Sequence, residues 1–146
     1  VRRYRVKENV FGLSQLLSGQ VSLADTICQT NFQNLDVIFA GPSAPNPSEL
    51  LSDAEFGKLI EKCKEFYDYI FIDTPPSANL ADATVVAAHC DASILVIESG
   101  AVSYKIAQKV KAQLERSGCR ILGAVLNKVD VKAGRYYKAY DKYYQK

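Results

Sequence analysis

The chain has 146 residues, 48% of them apolar and 23% charged, the composition of one folded domain with an ordinary core rather than of a disordered chain. A formal charge of +2 is too small to imply general nucleic-acid binding, and no apolar run approaches the roughly 18 residues needed to cross a bilayer. Four cysteines and one histidine, with no C-x-x-C pair, are too few parts for a Cys/His zinc site or a histidine-assisted nucleophile. The expectation is a soluble, cytosolic protein in which Cys28, Cys63, Cys90 and Cys119 stay reduced and His89 serves packing. Because the chain starts at Val1 and contains no methionine, it reads as a fragment of a longer product.

In chain order, the apolar runs LDVIFAG (35–41), YIFIDT (69–74), ASILVIES (92–99) and RILGAVLN (120–127) are of strand length. They are too continuous for a sheet with one wet face, so they predict buried parallel strands. Helical spacing lies between them. Residues 52–66 place Phe56, Leu59, Ile60 and Cys63 on one face, 81–89 form a second helix, and 103–117 align Ile106, Val110 and Leu114. Ser52-Asp-Ala-Glu55 has the form of a capping box, Ser103 is a plausible N-cap, and Gly118 falls where a left-handed C-terminal residue is wanted. Alternation of this kind predicts an α/β three-layer sandwich around a mostly parallel sheet. After Asp130 the composition turns basic and tyrosine-rich, which divides the chain into a domain at 1–130 and a tail at 131–146.

Ligands of such sheets gather beyond the carboxyl ends of the strands. Three ends stand out: Ala40-Gly41-Pro42, Asp73-Thr74-Pro75-Pro76 and Asn127-Lys128-Val129-Asp130. Asp73 follows an apolar run and precedes two prolines that stiffen the exit, so its carboxylate can organise a nucleotide-bound magnesium ion; the plainer alternative is an aspartate capping the next turn. The last end spells N-K-x-D, the guanine-reading element of GTPases, but Pro76 stands where a GTPase needs the glycine of D-x-x-G. Guanine specificity is therefore not expected, and Asn127 is kept as a contact for a purine edge. No G-x-x-x-x-G-K-[ST] occurs, and Gly57-Lys58 lies inside a predicted helix. A nucleotide enzyme built on this chain would need its first strand, phosphate loop and first helix upstream.

These residues resemble the bacterial tyrosine kinases of capsule and exopolysaccharide assembly, deviant P-loop ATPases related to the division and partition ATPases. The resemblance rests on Gly12-Leu-Ser-Gln-Leu-Leu-Ser-Gly19, on Ala40-Gly-Pro-Ser-Ala-Pro-Asn-Pro-Ser-Glu-Leu-Leu51, on Tyr67-Asp-Tyr-Ile-Phe-Ile-Asp-Thr-Pro-Pro76, on Ala81-Asp-Ala83 and on Leu126-Asn-Lys128, together with the tyrosine tail. It implies a P-loop NTPase-like fold incomplete at the N-terminus, ATP and Mg2+ as cofactors, Asp73 as the Walker B acid, and Asn127 near the adenine. Asp82 would be either a conditional member of the site or a helix cap. Arg2 matches the arginine of D-x-D-x-R, whose two acids would precede Val1. Without those acids and the phosphate loop, the chain is expected to have no kinase activity of its own.

Five of the nine tyrosines, Tyr136, Tyr137, Tyr140, Tyr143 and Tyr144, fall in the last twelve residues. Core packing along one helical face and single-stranded nucleic-acid binding are the alternatives to a phospho-acceptor role. The resemblance favours autophosphorylation of these phenols by other copies of the same protein. It also implies activation by a membrane adaptor of the polysaccharide chain-length regulator type, on a partner protein or fused upstream, at the inner face of the membrane; the small net charge leaves no nucleic-acid partner expected. Competing readings are a partition or division-type ATPase and a non-catalytic scaffold with an acceptor tail.

Overall fold

The computed structural model describes residues 10–52, 54–76 and 80–130. They fall into two compact units that divide between His89 and Cys90. Arg2 and the tyrosines of the tail lie outside the described residues.

In the first unit, helix α1 (Leu13–Leu17) starts beside a crossing of two glycines. Gly12 forms a parallel bridge with Phe39; the amides of Leu13 and Ser14 donate to the carbonyls of Phe39 (2.7 Å) and Ala40 (3.0 Å). A Cβ on Gly12 would stand 2.2 Å from the Cα of Gly41, and Gly41 itself has φ +82°, so both positions require the smallest residue. A short helix α2 (Leu23–Thr26) leads to an antiparallel pair, β1 (Cys28–Gln29) and β2 (Asp36–Val37). Helices α3 (Pro47–Ser52), α4 (Ala54–Lys64) and α5 (Leu80–Ala87) follow. The i, i+4, i+7 spacing of Phe56, Ile60 and Cys63 turns one face of α4 inward, and these residues are buried with Val86 and Ala87. His89 closes this core. Its ring meets Phe56 edge-on at 5.3 Å and lies over Gly57, whose missing side chain leaves the space.

Three sequence expectations change in this unit. Ser52 does not open α4: it ends α3, and its hydroxyl donates to the Ser48 carbonyl at 2.7 Å. Residues 69–74 carry no strand pairing among the described residues; Tyr69 and Phe71 are 81% and 86% exposed and stack on each other at 6.4 Å. Apolar continuity registers a preference for burial, whereas a strand exists only where a neighbour supplies amides and carbonyls. Pairing within 35–41 is likewise confined to β2 and the bridge at Phe39.

The second unit is a β-α-β arrangement. Strands β3 (Ala92–Glu98) and β4 (Arg120–Asn127) pair in parallel, and helix α6 (Tyr104–Arg116) makes the crossover that a parallel pair requires. Ser103 caps α6 by accepting from the Ile106 amide, Gly118 turns the chain out of it with φ +81°, and Val110 and Leu114 are buried. Ile106, expected on that buried face, is exposed. The ladder carries one bulge: Ser93 faces Ile121 but Ile94 faces Gly123, leaving Leu122 as a surplus residue, and Glu98 ends opposite Asn127. Strands expected to be covered on both faces leave Ile94, Val96 and Val125 exposed on one face, because a single helix can cover only one side of a two-stranded sheet; Leu122 at the bulge and Leu126 on the other face are exposed as well.

Candidate functional site

The elements of the first unit bring the A-G-P-x-x-P-N-P-S-E-L-L stretch against the A-D-A segment. Ser48, in the first turn of α3, donates its hydroxyl to Asp82 Oδ1 in the first turn of α5. Asp82, expected either at the site or as a helix cap, is thus tied from within the first turn of α5 to a residue 34 positions upstream. Asp73 is exposed and Thr74 half-buried, ahead of Pro75 and Pro76. An exposed carboxylate is the hard oxygen donor that magnesium takes when its remaining ligands are waters and phosphate oxygens, so Asp73 fits the ion by chemistry. No group of three or more His, Cys, Asp or Glu side chains poised for a metal occurs among the described residues. A second polar pair lies in the same unit: the Tyr67 hydroxyl donates to Asp36 Oδ2 at 2.7 Å. That bond, then burial, then the nearby charges of Asp36 and Cys63, push the phenol up to about 12. Burial also raises the Cys63 thiol.

In the second unit, the carboxyl edge of the parallel pair gathers Glu98, Asn127 and Lys128. Lys128 adopts a left-handed backbone, φ +55°, uncommon for a residue with a long side chain. In that conformation its amide donates to Asn127 Oδ1 at 2.8 Å, and its ammonium reaches back to Glu98 Oε2 at 2.8 Å. The Ser99 amide donates to the Asn127 carbonyl at 2.9 Å, closing the edge. Because an N–H points at one end of the Asn127 carboxamide, that end must be the oxygen, and the NH2 end is free to donate outward. Asn127 is exposed and presents hydrogen-bond donors, the polarity suited to ring nitrogens of a purine.

Of the residues that type and place point to, Asp73, Asn127 and conditionally Asp82 lie among the described residues, whereas Arg2 and the tail tyrosines do not; the structure adds Glu98, Ser48 and the left-handed Lys128 as their neighbours. Glu98 carries a signal of its own, since it closes a strand at the same carboxyl edge as Asn127. No local pattern announces the Ser48–Asp82 pair or the conformation of Lys128.

Residues 3–117 match the family model described as AAA domain. The chain is 41% identical over 133 residues to the tyrosine-protein kinase CpsD of Streptococcus pneumoniae serotype 4, covering 91% of this chain and 59% of that protein. Among solved structures it is similar to the kinase domain of the Escherichia coli tyrosine kinase ETK, with TM-score 0.81, 36% identity, and coverage of 87% of this chain and 50% of that one. It is also similar to the VpsO kinase domain, with TM-score 0.77, 32% identity, and coverage of 88% and 66%. The chain therefore spans less than two thirds of the length of these relatives.

Proposed function

The chain belongs to the AAA domain family, in its bacterial tyrosine-kinase branch with a P-loop NTPase-like α/β fold, and from that premise we propose that it serves a cytoplasmic, ATP-dependent protein-tyrosine autokinase. Its role would be to regulate the chain length and export of a capsular or extracellular polysaccharide at the inner face of the membrane. The observation that carries the reading is likeness to tyrosine-protein kinases along nine tenths of the chain, in company with a terminus holding five tyrosines.

In this reading Asp73 holds the magnesium of the nucleotide, Asn127 donates to the base, and the phenols of Tyr136, Tyr137, Tyr140, Tyr143 and Tyr144 are the acceptors. Bound magnesium–ATP supplies the transferable phosphoryl group. A phenol with pKa near 10 is neutral at working pH, so transfer needs a base to take its proton. Arg2 is assigned to the cationic part of that machinery. The 146-residue chain contains no G-x-x-x-x-G-K-[ST], and alone it is expected to transfer no phosphate.

The tail also explains how the reaction could be read out. Residues 135–146 carry four basic side chains and one acidic one, and each phosphate adds roughly −1.5 to −2 near pH 7. Five phosphates reverse the sign of the tail, so neighbouring copies that dock when unmodified repel when modified. A membrane adaptor of the chain-length regulator type would set when this cycle runs.

The test is incubation of the complete protein with magnesium–ATP and mapping of phosphotyrosine. Label is expected at positions 136 to 144, and Asp73→Asn should lower incorporation by about two orders of magnitude or more through loss of the metal's charge stabilisation. A complete protein that binds ATP yet never labels its tail would overturn the kinase reading. A variant with all five tail tyrosines changed to phenylalanine should stay assembled on ATP addition; equal disassembly of variant and parent would refute release by charge reversal.

A further inference from the structure

We infer that Glu98 and Lys128 are positioning residues that hold the Asn127 carboxamide in a fixed donor orientation toward a purine base. The inference deepens the nucleotide-binding reading above and rests on it.

Three observations converge at this edge. The bulge in the ladder brings Glu98 opposite Asn127. Lys128, immediately after, holds a left-handed backbone that side-chain-bearing residues keep only when their surroundings impose it. Its ammonium is anchored on Glu98 while its amide is spent on Asn127 Oδ1. The ion pair lies at the surface, with side chains 65% and 45% exposed, where such pairs contribute little to stability. Acting together with the bond from the Lys128 amide to Asn127 Oδ1, the pair favours one path of the chain after Asn127, and so one end of the carboxamide facing out. Were Lys128 released, its amide would swing away and the side chain of Asn127 could turn over, offering an acceptor where the base needs a donor.

Adenine carries acceptor nitrogens at N1, N3 and N7, so the test replaces them one at a time. Equilibrium binding of ATP and of 1-deaza-, 3-deaza- and 7-deaza-ATP to the complete protein is measured by calorimetry, with thermal unfolding as a check that each variant is folded. In the parent, one analogue should bind about three- to tenfold more weakly than ATP, the effect of one hydrogen bond. Asn127→Ala should erase that preference. Glu98→Gln, which keeps the shape and removes the charge, and Lys128→Ala should each reduce it by at least half, whereas Lys128→Arg should restore it. Lys128→Gly adopts the left-handed backbone readily but has no ammonium, and should fall between the two.

If Glu98→Gln and Lys128→Ala keep the parent's discrimination while Asn127→Ala loses it, the positioning role is refuted and the nucleotide site stands. If no deaza analogue is discriminated by the parent, or Asn127→Ala discriminates as the parent does, the donor role of Asn127 is refuted. A parent that binds no ATP at all removes this inference and the proposed function together.

Discussion

Tyr67 and Asp36 show how one polar pair ties a helix exit to a strand. The bond spans 31 residues of sequence, from the segment after α4 to β2. Tyr67→Phe should cost about 1 kcal/mol in urea unfolding near neutral pH. The pH dependence has a definite sign. The phenol binds its proton more tightly in the folded state, about 12, than in the unfolded state, near 10. Its contribution is therefore complete below pH 10 and disappears as pH rises through about 12. The gap in stability between parent and Tyr67→Phe should be constant from pH 7 to 9 and narrow above pH 10; a gap that widens there would contradict the assignment. Neither this pair nor Ser48–Asp82 was legible in the sequence, because hydrogen bonds between residues more than thirty positions apart leave no periodic trace.

Among the elements, those whose signal is local were legible. The apolar faces of α4 and α6 follow the 3.6-residue period, Ser103 caps as its type demands, and Gly118 takes the positive φ that ends a helix. Strand ends 92–98 and 120–127 were read within a residue. Residues 69–74 have an equally apolar pattern and are unpaired among the described residues, since pairing belongs to two segments and the pattern of one does not contain it. The glycine crossing lies between these cases. Gly12 and Gly41 were both inside quoted motifs, yet their contact was invisible until the fold brought them together. Gly12→Ala should lower stability by about 2–3 kcal/mol, since the new methyl collides with backbone. Gly41→Ala adds backbone strain to contact with Ser14 Oγ, at 2.7 Å. Thermal unfolding of both variants, against Gly19→Ala, which strains the backbone but meets no neighbour within 4 Å, separates the close approach from the conformational term.

At the scale of the whole molecule, family membership settles the fold, while the described residues leave much apolar sheet uncovered. Parallel strands are normally sheltered on both faces, and β3 and β4 are not. The 146-residue chain, purified alone, should therefore bind a hydrophobic dye such as ANS and show concentration-dependent light scattering. Substituting Val96 and Val125, both exposed, with threonine should reduce both signals without loss of helical circular dichroism. Absence of dye binding by the parent chain would mean that these faces are sheltered in solution. The candidate residues follow the same division of legibility: Asp73 and Asn127 stand out by type and place at the ends of apolar runs, whereas the contacts that Glu98 and Lys128 make around Asn127 depend on the pairing of two strands.

The unpaired Leu122 separates the entry of its strand from its exit. Removing that one residue would let Ile121 and Gly123 follow each other against Ser93 and Ile94, with Glu98 and Asn127 still abreast. Lengthening the chain by one anywhere between Gly123 and Leu126 would instead bring a different side chain abreast of Glu98 and dismantle the arrangement beyond it. The upstream half of β4 thus carries a surplus residue without disturbing the pair at the exit, while the count of five residues from Gly123 to Asn127 sets which side chain meets Glu98.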